Sequence, residues 1–149
     1  MAVTRTFLLI DDDTDDRELF AEVLAAVDPI ITCKQAIDGE EALRKLQKGI
    51  EQPDIIFLDI NLPVMNGWQF LRKIKTADGL KDIPVIMYST SSDQSDKETA
   101  NVLGASCFLT KPNSYKDLKG ILEAIAAAAK QSNPATAICK AIASYKRRN

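Results

Sequence analysis

The sequence predicts an α/β fold in which helices cover both faces of a five-stranded parallel sheet. Five short apolar runs alternate with amphipathic stretches along the chain. Three of these runs are apolar nearly throughout, which is typical of strands that are covered on both faces. Strict alternation of strands and helices, in turn, is the pattern of a doubly wound parallel sheet.

Each of the five apolar runs is long enough for one strand. They are TFLLI at 6–10, IITCKQ at 30–35, DIIFL at 54–58, IPVIMY at 83–88 and SCFLT at 106–110. In an open parallel sheet, ligands bind at the carboxyl ends of the strands, near the point where the strand order reverses. The polar residues that follow each run are therefore the first candidates for a functional site.

Between the strands, apolar residues recur at the three- and four-residue spacing of amphipathic helices. The first helical face closes at Asp28-Pro29, the second ends at Gly49, and the weaker fourth ends at Gly104. Proline and glycine at these places are helix-ending signals. The five predicted helical faces lie within 19–27, 42–46, 70–74, 93–103 and 118–125.

Composition excludes several classes of protein. The 149 residues are 46% hydrophobic and 27% charged with a net charge of -2, which favours one globular domain and does not favour nucleic-acid binding. The absence of histidine excludes the usual zinc sites and Ser-His or Cys-His pairs. No uncharged apolar run approaches the ~18 residues of a membrane span. FLLI is too short for a signal peptide and the three cysteines form no CxxC pair, so we expect a cytoplasmic protein with reduced thiols.

The stretch LLIDDDTDD, residues 8–16, places five aspartates directly behind the first strand. The residues at 13–16 have a structural explanation, since one at 13 or 14 caps the first helix and acids in its first turn suit the helix dipole. Asp11 and Asp12 instead close a buried strand, and Asp59, Ser89 and Lys111 follow the third, fourth and fifth strands. We expect these five side chains to converge at one edge of the sheet.

Three carboxylates beside a hydroxyl and an ammonium favour metal-assisted phosphoryl chemistry. No phosphate-binding glycine loop follows the first strand, which makes a dinucleotide site or a P-loop an unfavourable interpretation. Mg²⁺ binds one or two carboxylates, keeps several waters and recruits a phosphoryl group. The sequence therefore predicts a magnesium site at the ends of the strands.

The motifs IDD, FLDINLP, MYSTSS and LTKP, in this order and at these spacings, resemble the receiver domain of two-component response regulators. The resemblance runs from about residue 6 to 131, and we assign 1–131 to a receiver domain. It implies a flavodoxin-like sheet of strand order 2-1-3-4-5 with five helices. It also implies a phosphoacceptor switch, not an enzyme, with a sensor histidine kinase or phosphotransfer protein as partner and an unknown protein downstream.

The resemblance assigns roles to the acidic residues. It implies that Asp59 accepts the phosphoryl group. Asp12 would bind Mg²⁺ directly, Asp11 would act through water, and the backbone carbonyl of Asn61 would complete the metal site together with Asp59. An aspartyl phosphate adds roughly two negative charges beside the acids, which Mg²⁺ and Lys111 would offset.

The resemblance also implies a switch. Ser89 would hydrogen-bond the new phosphoryl oxygens and Lys111 would pair with them. Phe108, three residues before Lys111, would fill the space that Ser89 leaves. The populations of the conformations at the surface of helix 4, strand 5 and helix 5 would then shift. The resemblance also predicts a cis Lys111–Pro112 peptide bond.

Residues 132–149 extend beyond the resemblance. Asn133-Pro134 suits the start of another helix, and Ile138, Ile142 and Tyr145 follow at helical spacing, so we expect a helix over 134–146 and a basic tail without an output domain. The isoleucines would pack on this domain or on a second copy in a homodimer. The helix is expected to be dispensable for the chemistry.

Two other functions are weighed against the switch. A haloacid-dehalogenase-type phosphatase also uses an Asp after strand 1, a Ser or Thr and a Lys around Mg²⁺, with Asp11 as the nucleophile here. Against it, no second acidic motif follows Lys111, because Asp117 and Glu123 lie inside the fifth predicted helix. The second alternative is a receiver that is never phosphorylated and acts as an interaction module.

Overall fold

The computed structural model describes residues 4–49 and 52–148. Its five strands are β1 Thr6–Ile10, β2 Thr32–Ala36, β3 Ile55–Leu58, β4 Val85–Ser89 and β5 Cys107–Thr110. Its helices are α1 Thr14–Val27, α2 Gly39–Gln47, α3 Gly67–Thr76, α4 Gln94–Val102, α5 Tyr115–Ala128 and α6 Pro134–Arg148. Strands and helices alternate from β1 to α5, as the apolar pattern predicts.

All five strands are parallel and lie in the order β2-β1-β3-β4-β5, which confirms the predicted fold class. The strand order reverses at β1, so the carboxyl ends of β1 and β3 border the crevice of the sheet. β2 begins at Thr32 and not at residue 30, two residues later than predicted. A turn causes the delay, since the Asp28 side chain accepts a hydrogen bond from Ile30 N and its carbonyl accepts one from Ile31 N.

Two apolar cores lie on opposite faces of the sheet. One is formed with α1, α5 and α6, and its rings pack edge-to-face and tilted at centroid distances of 5.2 to 5.4 Å among Phe7, Phe20, Phe57 and Tyr88. The other is formed with α2, α3 and α4 around Phe70. Because both faces are covered, β1, β3 and β4 are apolar along almost their whole length.

The helix α6 belongs to the first core. Ile138 and Ile142 are buried there within the same chain, which is the first of the two packing alternatives that the sequence leaves open. The Tyr145 ring lies against Gly120 of α5, where a β-carbon would clash with the phenol. Glycine at 120 therefore lets α5 and α6 approach closely.

The expectation of three reduced thiols is wrong for two of them. Cys107 of β5 and Cys139 of α6 form a disulfide with a Cα–Cα distance of 5.9 Å, and Cys33 is the free thiol. The two cysteines are 32 residues apart and belong to no sequence motif that would predict their pairing. The packing of α6 beside β5 brings the two side chains together. The disulfide fixes the last helix to the sheet.

None of the helices in the described part of the chain has the length and apolar character needed to cross a membrane.

Candidate functional site

The ends of β1 and β3 place three carboxylates in one crevice. Asp11, Asp12 and Asp59 each offer an oxygen, and these oxygens all lie within 4.8 Å of one another. Asp11 and Asp59 are buried and Asp12 is exposed. The backbone pattern of the sheet continues into the site, since Asp11 N donates to Ala36 O at 3.1 Å and Asp59 N donates to Ile10 O at 3.0 Å.

Asp11 is fixed by hydrogen bonds to both of its carboxylate oxygens. Oδ1 accepts from Asp13 N at 2.9 Å and Oδ2 accepts from Lys111 Nζ at 2.7 Å. Its carbonyl accepts from Arg17 of α1 at 2.8 Å. Asp13 in turn caps α1 by accepting from Asp16 N, so it takes the capping place that the sequence leaves open between residues 13 and 14. The start of α1 thus holds Asp11 in a fixed orientation.

Lys111 reaches into the acidic cluster from the end of β5. Its ammonium donates to Asp11 at 2.7 Å, to Asp16 at 2.9 Å and to Asp59 at 3.3 Å. Only 9% of its side chain is exposed, and the ammonium lies 5.5 Å from the centre of the Tyr88 ring. One cation therefore neutralises part of the charge of three acids.

The predicted cis Lys111–Pro112 bond is wrong, because the described chain contains no cis peptide bond. Lys111 N donates to Ser89 O at 2.7 Å, which extends the β4–β5 pairing to the lysine itself. The lysine reaches Asp59 from this position with a trans bond. The trans isomer, which X–Pro bonds prefer by about 0.5–1 kcal/mol, is therefore compatible with the site.

The environment changes the proton affinity of two of these groups. Burial raises the pKa of Asp59 to about 6, with Lys111 opposing the shift and Asp11 adding to it. Burial lowers the pKa of Lys111, but hydrogen bonds to Asp11 and Asp16 and the charge of Asp59 outweigh it, so the net pKa is raised. The lysine is therefore a permanent cation, and the raised pKa means that the Asp59 carboxyl takes up a proton at higher pH than an ordinary aspartate does.

The remaining predicted site residues lie at the strand ends but differ in burial. Ser89 is fully buried at the end of β4, and its Oγ accepts from Ser91 N at 3.2 Å. Thr110 of β5 holds the same loop by donating to Ser91 O at 2.9 Å. Phe108 is buried in the core on the α4 side, and Asn61 is exposed two residues after Asp59. The aromatic side chain is therefore packed inward in this state.

Sequence reasoning missed two contacts of Lys111. Asp16 was grouped with the acids that start α1, and Tyr88 was counted as part of a strand. A side chain in the first turn of a helix that follows β1 lies above the end of that strand, so the position of Asp16 gave a usable signal. Tyr88 gave none, because an aromatic residue in a buried strand looks the same whether or not a cation lies nearby.

The loop after Asp59 has a constrained backbone. A β-carbon on Gly67 would clash with the carbonyl oxygen of Asp59, so glycine is required where α3 begins. Gly67 N donates to Ile60 O at 2.8 Å and thereby closes the loop. Within it, Val64 has a φ of 65°, and Met65 N donates across it to Pro63 O at 2.7 Å. This is a three-residue turn of the rare, strained kind.

We expect Val64→Gly to raise the free energy of unfolding by about 1 kcal/mol, because a β-branched residue at positive φ is strained and glycine is not. The side chain is 96% exposed, so no packing is lost. Urea unfolding of the two proteins measures the difference. Val64→Ala is the control: it keeps the β-carbon, and an equal gain there would mean that backbone strain is not the cause.

The acidic cluster fits a divalent cation, since three clustered carboxylate oxygens are hard ligands. The family model described as "Response regulator receiver domain" matches residues 7–123. The response regulator Rcp1 of Synechocystis sp. is 34% identical over 128 residues, which cover 81% of this chain and 86% of that protein. The fold and the site geometry thus agree with a sequence relationship that extends over most of the chain.

Two solved structures resemble this one. The crystal structure of the phosphorylated cyanobacterial phytochrome response regulator RcpA has a TM-score of 0.75 and 31% identity, with 83% of this chain and 91% of that chain covered. The Mn²⁺-bound form of response regulator Rcp1 has a TM-score of 0.76 and 31% identity, with 86% and 96% covered.

Longer proteins also match. A protein-glutamate methylesterase/protein-glutamine glutaminase of Bacillus subtilis is 36% identical over 129 residues, and one of Clostridium acetobutylicum is 39% identical over 108 residues. The chain spans about a third of the length of these relatives, 35% and 30%. The similarity to all these proteins lies in one kind of module, and the chain belongs to the family of response regulator receiver domains.

Proposed function

We propose that this chain is a phosphoacceptor switch in which Asp59 takes a phosphoryl group from a sensor histidine kinase or a phosphotransfer protein. The observation that carries the proposal is the meeting of Asp11, Asp12 and Asp59 within 4.8 Å, with the Lys111 ammonium 3.3 Å from the Asp59 carboxylate. A buried carboxylate with a cation at its side is placed to receive a group that brings further negative charge.

The transfer requires one bond to form and one to break. An Asp59 carboxylate oxygen attacks phosphorus, the new O–P bond forms, and the bond from phosphorus to the donor breaks with its electron pair. With acetyl phosphate as donor, the leaving group is acetate. Lys111 pairs with the incoming oxygens, and the buried position of Asp59 limits the access of water.

Asp11, Asp12 and Asp59, with the backbone carbonyl of Asn61, are the groups that would hold Mg²⁺. When bound, the cation supplies charge neutralisation between the carboxylates and the phosphoryl oxygens. Asp12 is the exposed member of the set and is the group that an arriving ion meets first. Asp11 is held in place by Asp13 N and Lys111, so it is oriented before any ligand binds.

The response involves the elements that follow the site. Ser89 and Thr110 both form hydrogen bonds to Ser91 in the β4–α4 loop. A phosphoryl group that attracts the Ser89 hydroxyl would therefore alter the hydrogen bonds that hold this loop. Phe108 is the packing partner that accommodates the change on the α4 side. We infer that the populations of the conformations at the surface of α4, β5 and α5 shift, and that the fold stays the same.

The proposal does not require the continuous turnover of a phosphate ester that a phosphatase shows. A phosphatase of the haloacid-dehalogenase type needs further acids after the lysine, and Asp117 and Glu123 lie in α5. The match of a receiver model to residues 7–123 also supports the switch over the phosphatase. A receiver that is never phosphorylated has the same fold, and only labelling distinguishes it from the switch.

The test is incubation with Mg²⁺ and acetyl phosphate, followed by intact-protein mass spectrometry. One phosphoryl group is expected, stable to acid and labile to base as an acyl phosphate is, and absent after chelation of the metal. No gain in mass over a range of small donors would contradict the proposal and favour the interaction module.

The rate of labelling is expected to fall as the pH falls through about 6. The pKa of Asp59 is raised to about 6, so the neutral acid predominates below that value, and it neither attacks phosphorus nor binds a cation. A higher Mg²⁺ concentration favours the carboxylate and should move the midpoint to lower pH. Initial rates between pH 5 and 8, repeated with phosphoramidate to control for ionisation of the donor, measure this. A flat profile would contradict it.

A further inference from the structure

Asp16 is an acid of the first turn of α1 whose contact lies far away in sequence. Its Oδ2 accepts from Lys111 Nζ at 2.9 Å, across 95 residues. The neighbouring Asp15 is exposed, and Asp13 is the residue that caps the helix. Helix capping and the helix dipole therefore do not explain the orientation of Asp16, which is directed at the cation of the site.

The ammonium of Lys111 has three protons, and three carboxylates share them. The bond to Asp59 is the longest at 3.3 Å, compared with 2.7 Å to Asp11 and 2.9 Å to Asp16. A phosphoryl group on Asp59 presents new oxygens that need the same protons. The proton that now goes to Asp59 can pass to one of them, but the lysine can serve a second one only by giving up Asp11 or Asp16.

The burial of the two competing acids differs. The Asp11 side chain is 0% exposed, whereas that of Asp16 is 40% exposed. Without the lysine, the charge of Asp11 would depend on Asp13 N and on the cation alone, because no water reaches this fully buried side chain. Water can solvate Asp16 when the lysine leaves it, so Asp16 is the partner that is released at the smaller cost.

We propose that Asp16 is a positioning residue that holds Lys111 in the unphosphorylated state and competes with the phosphoryl group for its ammonium. This rests on the proposed function, because it needs a phosphoryl group on Asp59. Asp16 then sets how strongly Lys111 binds the phosphoryl oxygens and how long the modification lasts. A weaker competitor gives a more stable phosphorylated state.

The test compares the wild type with Asp16→Asn, Asp16→Glu and Asp15→Asn. With Asp16→Asn, we expect a three- to fivefold longer half-life of the phosphorylated protein, since a partly exposed ion pair is worth up to about a fivefold change in equilibrium. Affinity for beryllium trifluoride with Mg²⁺, measured by calorimetry, should tighten by a similar factor. Asp16→Glu keeps the competing charge and should behave as the wild type.

Asp15→Asn is the matched control, because it removes the same charge from the same helical turn without touching Lys111. If Asp16→Asn and Asp15→Asn give the same half-life and the same affinity for beryllium trifluoride, Asp16 acts only through general charge and the inference is wrong. A wild-type protein that accepts no phosphoryl group would instead refute the proposed function, and the inference with it. Thermal melts of all four proteins confirm that they are folded.

Discussion

Asp59→Asn is expected to abolish labelling by acetyl phosphate while the protein stays folded. The amide is nearly isosteric with the carboxylate but has no charged oxygen with which to attack phosphorus. Because burial raises the pKa of Asp59, a charged carboxylate at this position costs more free energy in the folded state than in the unfolded chain. The neutral amide should therefore leave the melting temperature unchanged or raise it. Mass spectrometry and a thermal melt on one preparation measure both outcomes.

Variants of the other acids distinguish Asp59 as the phosphoacceptor from the alternative in which Asp11 is the nucleophile. Asp12→Asn should weaken Mg²⁺ binding and slow labelling without abolishing it, because the carboxylates of Asp11 and Asp59 remain available to the ion. Asp15→Asn, at an exposed position in the same acidic stretch, should label as the wild type does. Labelling that survives in Asp59→Asn and disappears in Asp11→Asn would reassign the nucleophile to Asp11 and support the phosphatase.

Reduction of the Cys107–Cys139 disulfide is expected to lower the free energy of unfolding by about 3 to 4 kcal/mol. The bond closes a loop with a sequence separation of 32 residues, and opening it returns that conformational freedom to the unfolded chain. This is a large part of the stability of an ordinary domain. Urea unfolding with and without dithiothreitol measures the effect.

Two cysteine variants make the measurement specific. In Cys139→Ser, dithiothreitol should have no effect, because the bond is already absent. In Cys33→Ser it should have the full effect, since Cys33 takes no part in the bond. Burial raises the pKa of the Cys33 thiol to about 12, so it forms little thiolate and should not exchange with the disulfide. Equal stability of the oxidised and reduced wild type would show that the bond contributes nothing.

The sequence predicted the sheet and the acidic crevice because both depend on local signals. Apolar runs mark β1, β3 and β4, and the carboxyl ends of parallel strands must meet at one edge of the sheet, so Asp11, Asp12, Asp59 and Lys111 could be grouped before any coordinates. The strand order followed from the resemblance of the motifs. None of this required knowledge of how distant side chains pack.

The features that were missed depend on packing at long range. The disulfide forms because α6 folds back beside β5, and no local pattern in the sequence specifies that position. The place of Asp16 in the first helical turn puts it above the end of β1, but nothing nearby in sequence specifies a lysine 95 residues away as its partner. The isomer of the Lys111–Pro112 bond depends on where the lysine must reach, and the close approach of the strand ends made a cis bond unnecessary.

The position of α6 also bears on how the sheet avoids association with other chains. β5 is an outer strand, and such a strand offers its free backbone groups to any strand that comes near. The disulfide holds α6 at Cys107, and Lys146 donates to Phe108 O at 3.5 Å. The helix thus lies beside this edge and occupies one of its backbone acceptors. We expect a chain without α6 to leave this strand and the apolar residues of α5 more open, and therefore to be more prone to edge-to-edge association.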